Sequence, residues 1–294
     1  MARGAGTYAR RVSAVLALLA SVLWGTADFL GGTASRRAPV ASVLGLSQLT
    51  ALLGLVPVAV LTHELDADRA YVVPSVAAGL VGMVALGAFY RALATGTMGV
   101  VAPVAALGVV VPVAVGLLSG EAPGAGQLFG ITLAVAGVVL ASGPELRGDG
   151  RGGATPLLLA LVAAVGFGAV LVLIAEGASS SVVMTLLTMR LSAVLALTAL
   201  LLVVRRRLGS GLGVGRGALP LVAAVGIGDV LANGAFALAS DSAGALVSVT
   251  AVLASLYPIV TVLLARQVHG ERLRRVQVVG VVGALSGVAL LASG

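Results

Sequence analysis

Apolar residues run along this chain in long blocks, broken by short polar loops, from the first dozen residues to the last. A helix needs about 20 consecutive apolar residues to cross a bilayer, and ten blocks of that kind fit: 12–34, 40–61, 71–93, 97–118, 125–142, 155–176, 182–204, 217–239, 243–265 and 274–292. The breaks between them hold most of the charge: Arg36-Arg37, the run from His63 to Arg69, Glu145 to Arg151, Arg205-Arg206-Arg207, and His269 to Arg275. In hydrocarbon each backbone polar group must be bonded within its own element or its neighbours. The pattern therefore predicts an all-α integral membrane protein of ten transmembrane helices.

A second pattern is superimposed on the first. Gly120-Glu121, Gln127, Gly130 and Gly137 recur at the same internal spacing as Gly270-Glu271, Gln277, Gly280 and Gly287, with Pro112 and Pro258 upstream. The chain has 41 glycines, so glycine matches alone carry little weight. It has only five glutamates and four glutamines, and one of each falls into register here. Further pairs extend the match. Ala92-Leu93-Ala94 with Gly99 answers Ala237-Leu238-Ala239 with Gly244, Trp24-Gly25 answers Phe167-Gly168, and Gln48 answers Arg190. We read two repeats, 1–142 and 155–294, joined by a charged Gly/Pro linker over 143–154. With five spans in each, the second half enters the membrane from the opposite side, an inverted repeat. In transporters built this way the substrate site lies near the midplane between the halves.

Composition sharpens this picture. Charged residues make up 10% and hydrophobic ones 59%, and mean hydropathy is +1.14. A soluble domain is about one quarter charged. The absence of cysteine excludes disulfides and thiolate chemistry. The net charge of +7 comes from loop arginines, which fits membrane orientation better than nucleic-acid binding. Twelve arginines follow spans 1, 5, 7 and 9, and four (Arg3, Arg10, Arg11 and Arg69) lie on the other side. The bulk of the charge places both termini outside, while Arg10 and Arg11 beside the first span argue the reverse. The N-terminal segment resembles a signal peptide, but its apolar run continues past Asp28 to Ala34 and more membrane-like sequence follows.

An ionisable group at a helix centre costs roughly 2.5–3.5 kcal/mol on insertion scales, so each needs a reason. Asp28 lies one turn from Trp24 on the same face of span 1, Asn233 lies one turn from Asp229 in span 8, and Arg190 is near the middle of span 7. Left unpaired in a cavity, either aspartate is a candidate for binding a cationic group or a proton; paired with Arg190, it is structural or a gate latch. Arg91, beside Tyr90, has a snorkelling and a functional reading. Trp24 and Tyr257 are either interfacial anchors or cavity walls. Pro103, Pro112 and Pro258 remove backbone hydrogen bonds within spans 4 and 9. Such breaks survive beside a cavity or a packed neighbour. The stripe Gly130, Ala134, Gly137, Ala141, mirrored by Gly280, Ala284, Gly287, permits close helix packing or a dimer contact. His63, His269 and the acidic loop Glu64, Asp66, Asp68 read as solvated, and no metal-ligand cluster, phosphate loop, catalytic triad or cofactor motif appears in any span.

The Trp24-Gly25 pair, Arg190 in span 7 and the doubled Pro…Gly-Glu…Gln-x-x-Gly-x6-Gly hairpin resemble the EamA family of the drug/metabolite transporter superfamily, over nearly the whole chain. The resemblance implies ten helices as two inverted five-helix repeats around a central cavity, with helices 5 and 10 peripheral. It implies alternating-access movement of small metabolites, amino-acid-like compounds or drugs. Gln48 departs from the arginine common at that place in the first repeat, and the loop after span 2 is acidic where the family's is commonly basic.

The expectation is a non-enzymatic secondary transporter in a bacterial cytoplasmic membrane, an exporter with protons as a possible coupling ion, monomeric or homodimeric. Its cavity is expected among spans 1, 3, 4, 6, 8 and 9. The expected substrate-binding set is Trp24, Asp28, Tyr90, Arg190, Asp229, Asn233 and Tyr257. The rival readings are an uptake permease for a sugar or similar solute, a non-transporting scaffold and a membrane-embedded enzyme.

Overall fold

The computed structural model describes residues 2–64, 68–96, 98–142, 154–208, 215–242, 246–269 and 275–293. Asp66, Gly270-Glu271 and most of the expected linker lie outside the described residues, as do the side chains of Gln127, Gln277, Ala134, Ala141, Ala284, Pro103 and His269. Among the described residues all regular structure is helical.

Among the described residues twelve α-helices follow in order: α1 (Ala2–Ser35), α2 (Val40–Leu61), α3 (Val72–Thr95), α4 (Met98–Ala106), α5 (Val110–Leu118), α6 (Ala125–Ser142), α7 (Ala154–Ala178), α8 (Val182–Leu208), α9 (Leu219–Asp241), α10 (Val247–Ala254), α11 (Tyr257–His269) and α12 (Arg275–Ser293). Among the described residues, seven helical segments are long and apolar enough to cross a membrane, and Val104–Leu118 and Leu128–Gly137 are shorter apolar helices.

The fourth and ninth apolar blocks are each two helices in tandem. A 3-10 turn over Leu107–Val109 separates α4 from α5, and Ser255 and Leu256 separate α10 from α11. Pro112 and Pro258 then fall in the first turns of α5 and α11. There the N–H that proline lacks would have had no intrahelical partner in any case. The proline therefore starts a second helix after the break, and the freed carbonyls lie in the turn before it.

Helices from the two halves interleave. α1 packs against α9 and α11, α3 against α7 and α8, α2 against α8 and α9, and α6 against α12. Gly25 permits one of the closest approaches: a Cβ there would overlap the Tyr257 carbonyl oxygen and lie 2.6 Å from Val260 Cβ. Thr261 secures this contact by donating its hydroxyl to the Gly25 carbonyl at 3.0 Å. Gly168, its counterpart in the other half, meets the Gly108 carbonyl and Val111 in the same manner. α6 and α12 lie together at the edge, where a Cβ on Gly283 would stand 3.7 Å from Gly137 Cα. Leu, Val and Phe side chains elsewhere on the outer surface, such as Leu53, Val73, Phe129 and Leu195, are exposed. That arrangement suits lipid, where an apolar exterior carries no penalty.

Candidate functional site

Where the interleaved helices part, a cavity of about 780 Å³, open end included, is left between the two halves. Both helix breaks face it: Ala105, Ala106, Gly108 and Val109 line one side, and Ser255 and Tyr257 line another. Such breaks are tolerated in a membrane when they border a cavity. α7 contributes Phe167 and Gly168, α3 contributes Gly79, Gly82 and Met83, and α1 contributes Trp24 and Asp28.

The polar centre of the cavity is Arg190. Its side chain is 3% exposed, and its Nη1 donates to Asp229 Oδ2 at 2.8 Å and to Gln48 Oε1 at 2.6 Å. Asp229 is held in turn by Asn233, whose Nδ2 donates to its Oδ1 at 3.0 Å and its carbonyl at 2.7 Å. This is the one-turn spacing read from the sequence, used as a second support for the carboxylate. Both acceptors crowd one nitrogen of the guanidinium. Nε and Nη2 are buried and have no hydrogen-bond partner among the described residues. A buried donor left unpaired costs about 1–3 kcal/mol, so this edge is an unfilled demand for an acceptor.

Two more polar groups stand open. Asp28 is 7% exposed, lines the cavity, and among the described residues no side chain donates to its carboxylate. The Tyr257 hydroxyl is buried and has no hydrogen-bond partner among the described residues. Trp24 packs on Phe236, with ring centroids 5.8 Å apart, and this fixes the indole as a wall of the cavity.

Of the seven residues proposed from the sequence, six line this one cavity: Trp24, Asp28, Arg190, Asp229, Asn233 and Tyr257. Tyr90 does not. It is 1% exposed, and its ring lies against Gly31 of α1. Arg91, next to it, is exposed. The cavity also draws on more of the chain than the spans expected, since α2 and α8 enter it through Gln48, Met189, Arg190 and Ala193. Sequence reasoning missed Gln48 as a site residue. The available signal was its place as the repeat counterpart of Arg190, 142 residues away, and these two counterparts are in direct contact.

Comparison with known proteins agrees with this architecture. The sequence profile of the EamA-like transporter family matches the chain twice, over residues 11–143 and 154–293. Eighteen chains of known structure match. One, titled "Crystal structure of protein", aligns with a TM-score of 0.71 at 18% identity over 95% of each chain, a likeness of fold. No curated protein matches.

Proposed function

Because the chain belongs to the EamA-like transporter family, we propose that it is a secondary transporter carrying small carboxylate-bearing organic solutes across the cytoplasmic membrane by alternating access, with export as its net direction. The ten apolar blocks cross the membrane as two inverted halves, and substrate binds in the cavity between them.

The observation that carries this reading is the free edge of Arg190. Nε and Nη2 of a guanidinium form a planar fork that fits the two oxygens of a carboxylate. Neither nitrogen has a partner among the described residues, while Asp229 and Gln48 hold the opposite side. A carboxylate seated there supplies the acceptor that the buried donors lack. Asp28 offers the complementary charge for an ammonium group, or holds a proton when none is bound. Trp24 and Tyr257 supply an aromatic wall and a hydroxyl for the rest of the solute. Asp229 stays paired with Arg190 and orients it, with Asn233 as its support.

Proteoliposomes test the reading. A pH gradient should drive flux of amino acids but not of the matching decarboxylated amines, and Asp28→Asn should abolish the gradient's effect. Counterflow in oriented vesicles reports direction, net entry being the mark of an uptake permease. Equal flux of acids and amines removes the Arg190 role, and unchanged pH-driven flux in Asp28→Asn removes proton coupling. No flux for any solute in a broad screen leaves a scaffold.

A further inference from the structure

Away from the cavity, two carboxylates reach from the first half of the chain to helix starts in the second. Glu64, just after α2, accepts a hydrogen bond from the Ser181 hydroxyl. That same hydroxyl oxygen accepts the Met184 N–H at 3.0 Å, capping α8. Glu121, in the turn between α5 and α6, accepts the Val247 N–H at 2.8 Å, the Ser248 N–H at 3.2 Å and the Ser248 hydroxyl at 2.5 Å. It thereby occupies the start of α10, where unpaired N–H groups favour an anion. The turn that presents it is well specified. Gly120 has φ +88°, a value suited to glycine, and the Glu121 N–H donates to the Gly116 carbonyl at 2.9 Å. A Cβ at Gly116 would lie 2.7 Å from the Glu121 carboxyl carbon.

The internal repeat shows what stands at the equivalent places on the other face. The spacing that pairs Gln48 with Arg190 also pairs Pro39 with Ser181, and the spacing that pairs Ala92 with Ala237 pairs Pro103 with Ser248. Proline has neither a hydroxyl nor an N–H to give. Pro39 precedes α2 with no side-chain capping bond. The segment 204–217, which answers the Glu64 loop, holds arginine and glycine but no carboxylate. Glu271 answers Glu121 in the second hairpin, and Pro103 stands in the sequence where the other half has Ser248. With ten crossings, Glu64, Glu121, Ser181 and Ser248 share the face that bears both termini, and Pro39 and Pro103 belong to the opposite, arginine-rich face.

We propose that Glu64 and Glu121 are positioning residues for the transport cycle, a two-point latch that joins the halves on the terminus-bearing face and releases when the cavity opens there. The equivalent serines are prolines on the arginine-rich face, so that face opens against less resistance. At rest the cavity is therefore offered to the arginine-rich side, which the positive-inside rule makes cytoplasmic, the loading side for an exporter. This rests on the alternating-access reading. The test reads opening directly, in the absence of solute, so its failure leaves the flux assay standing.

The chain has no cysteine, so Ser255→Cys places one thiol in the cavity wall. Its rate of reaction with a membrane-impermeant maleimide is measured from each face of oriented vesicles, with protease access to a C-terminal tag identifying the face. Glu64→Gln with Glu121→Gln should raise labelling from the terminus-bearing face about tenfold or more, the change carried by loss of one charge-assisted hydrogen bond. Labelling from the other face should fall. Ser248→Ala, which removes one hydroxyl and spares folding, should give about threefold on the same face. Ser181→Thr, which keeps its hydroxyl, should label like the parent. Unchanged rates, or an equal rise from both faces, overturn the latch.

Discussion

Asp229→Asn is the substitution that most directly probes the centre of the site. It preserves shape and the Asn233 contact to the main chain but removes the only anion within salt-bridge distance of Arg190 among the described residues. The Arg190 side chain is 3% exposed and keeps only neutral acceptors, Gln48 at 2.6 Å and the amide oxygen of the new asparagine. Breaking a buried pair by removing one partner costs about 3–5 kcal/mol. Asp229 is 14% exposed on the cavity side, so water there recovers part of the loss. We expect about 2–4 kcal/mol, an upper end that corresponds to almost a thousandfold in an equilibrium constant. The double variant Arg190→Met, Asp229→Leu removes both charges and should recover most of that stability, since a buried pair exchanged for packed apolar groups is often neutral. Neither variant should bind substrate. The assay is a double-mutant cycle on unfolding in lipid nanodiscs, followed by ligand-induced stabilisation of each variant. An Asp229→Asn protein within about 0.5 kcal/mol of the parent would refute the claim that Arg190 depends on this carboxylate.

Three other substitutions follow from geometry. Gly25→Ala drives a methyl group into the Tyr257 carbonyl and Val260 and should cost about 1–3 kcal/mol as overpacking. Gly54→Ala in α2 meets nothing within 4 Å and should hold or gain up to about 1 kcal/mol; thermal unfolding that ranks the two the other way contradicts the packing described. Tyr257→Phe removes a hydroxyl with no partner among the described residues. It should leave unfolding within about 0.5 kcal/mol of the parent while weakening solute binding by about threefold to tenfold, read by titrated thermal shift.

How much of this was legible in the sequence follows from the physics of each feature. Helices were plain because hydrocarbon imposes long apolar runs. The repeat was plain because glutamate and glutamine are scarce enough here for a matched pair to carry information. The ionisable members of the site were visible for the same reason: Asp28, Arg190 and Asp229 each needed a cause for lying inside a span. Gln48 was not visible as a site residue, because a neutral amide within a span raises no comparable alarm. Tyr90 is in the expected substrate-binding set, but it packs against Gly31 and is not among the residues that line the cavity. The tandem nature of the fourth and ninth spans was half legible. Their prolines predicted broken backbone beside a cavity, which is observed, but not that each would sit one turn beyond the break. The partners of Glu64 and Glu121 lie 117 to 127 residues away, and no local pattern announces them.

The contact between Gln48 and Arg190 has a further meaning. They occupy the same place in the two repeats, and in an isologous pairing residues at equivalent places touch where they lie on the two-fold axis. Under the inverted-repeat reading, this contact lies on the line that relates the two halves. Any residue on that line meets its own image, and an arginine there would face an arginine in a water-poor site. Fusion into one chain frees the two images to differ. Glutamine in one half lets the other keep its cation, with an acceptor at hand where a second positive charge would have stood. In that reading the departure from symmetry is sited on the axis, and a solute in the proposed site would meet two unlike walls, one amide and one guanidinium, instead of two copies of the same one.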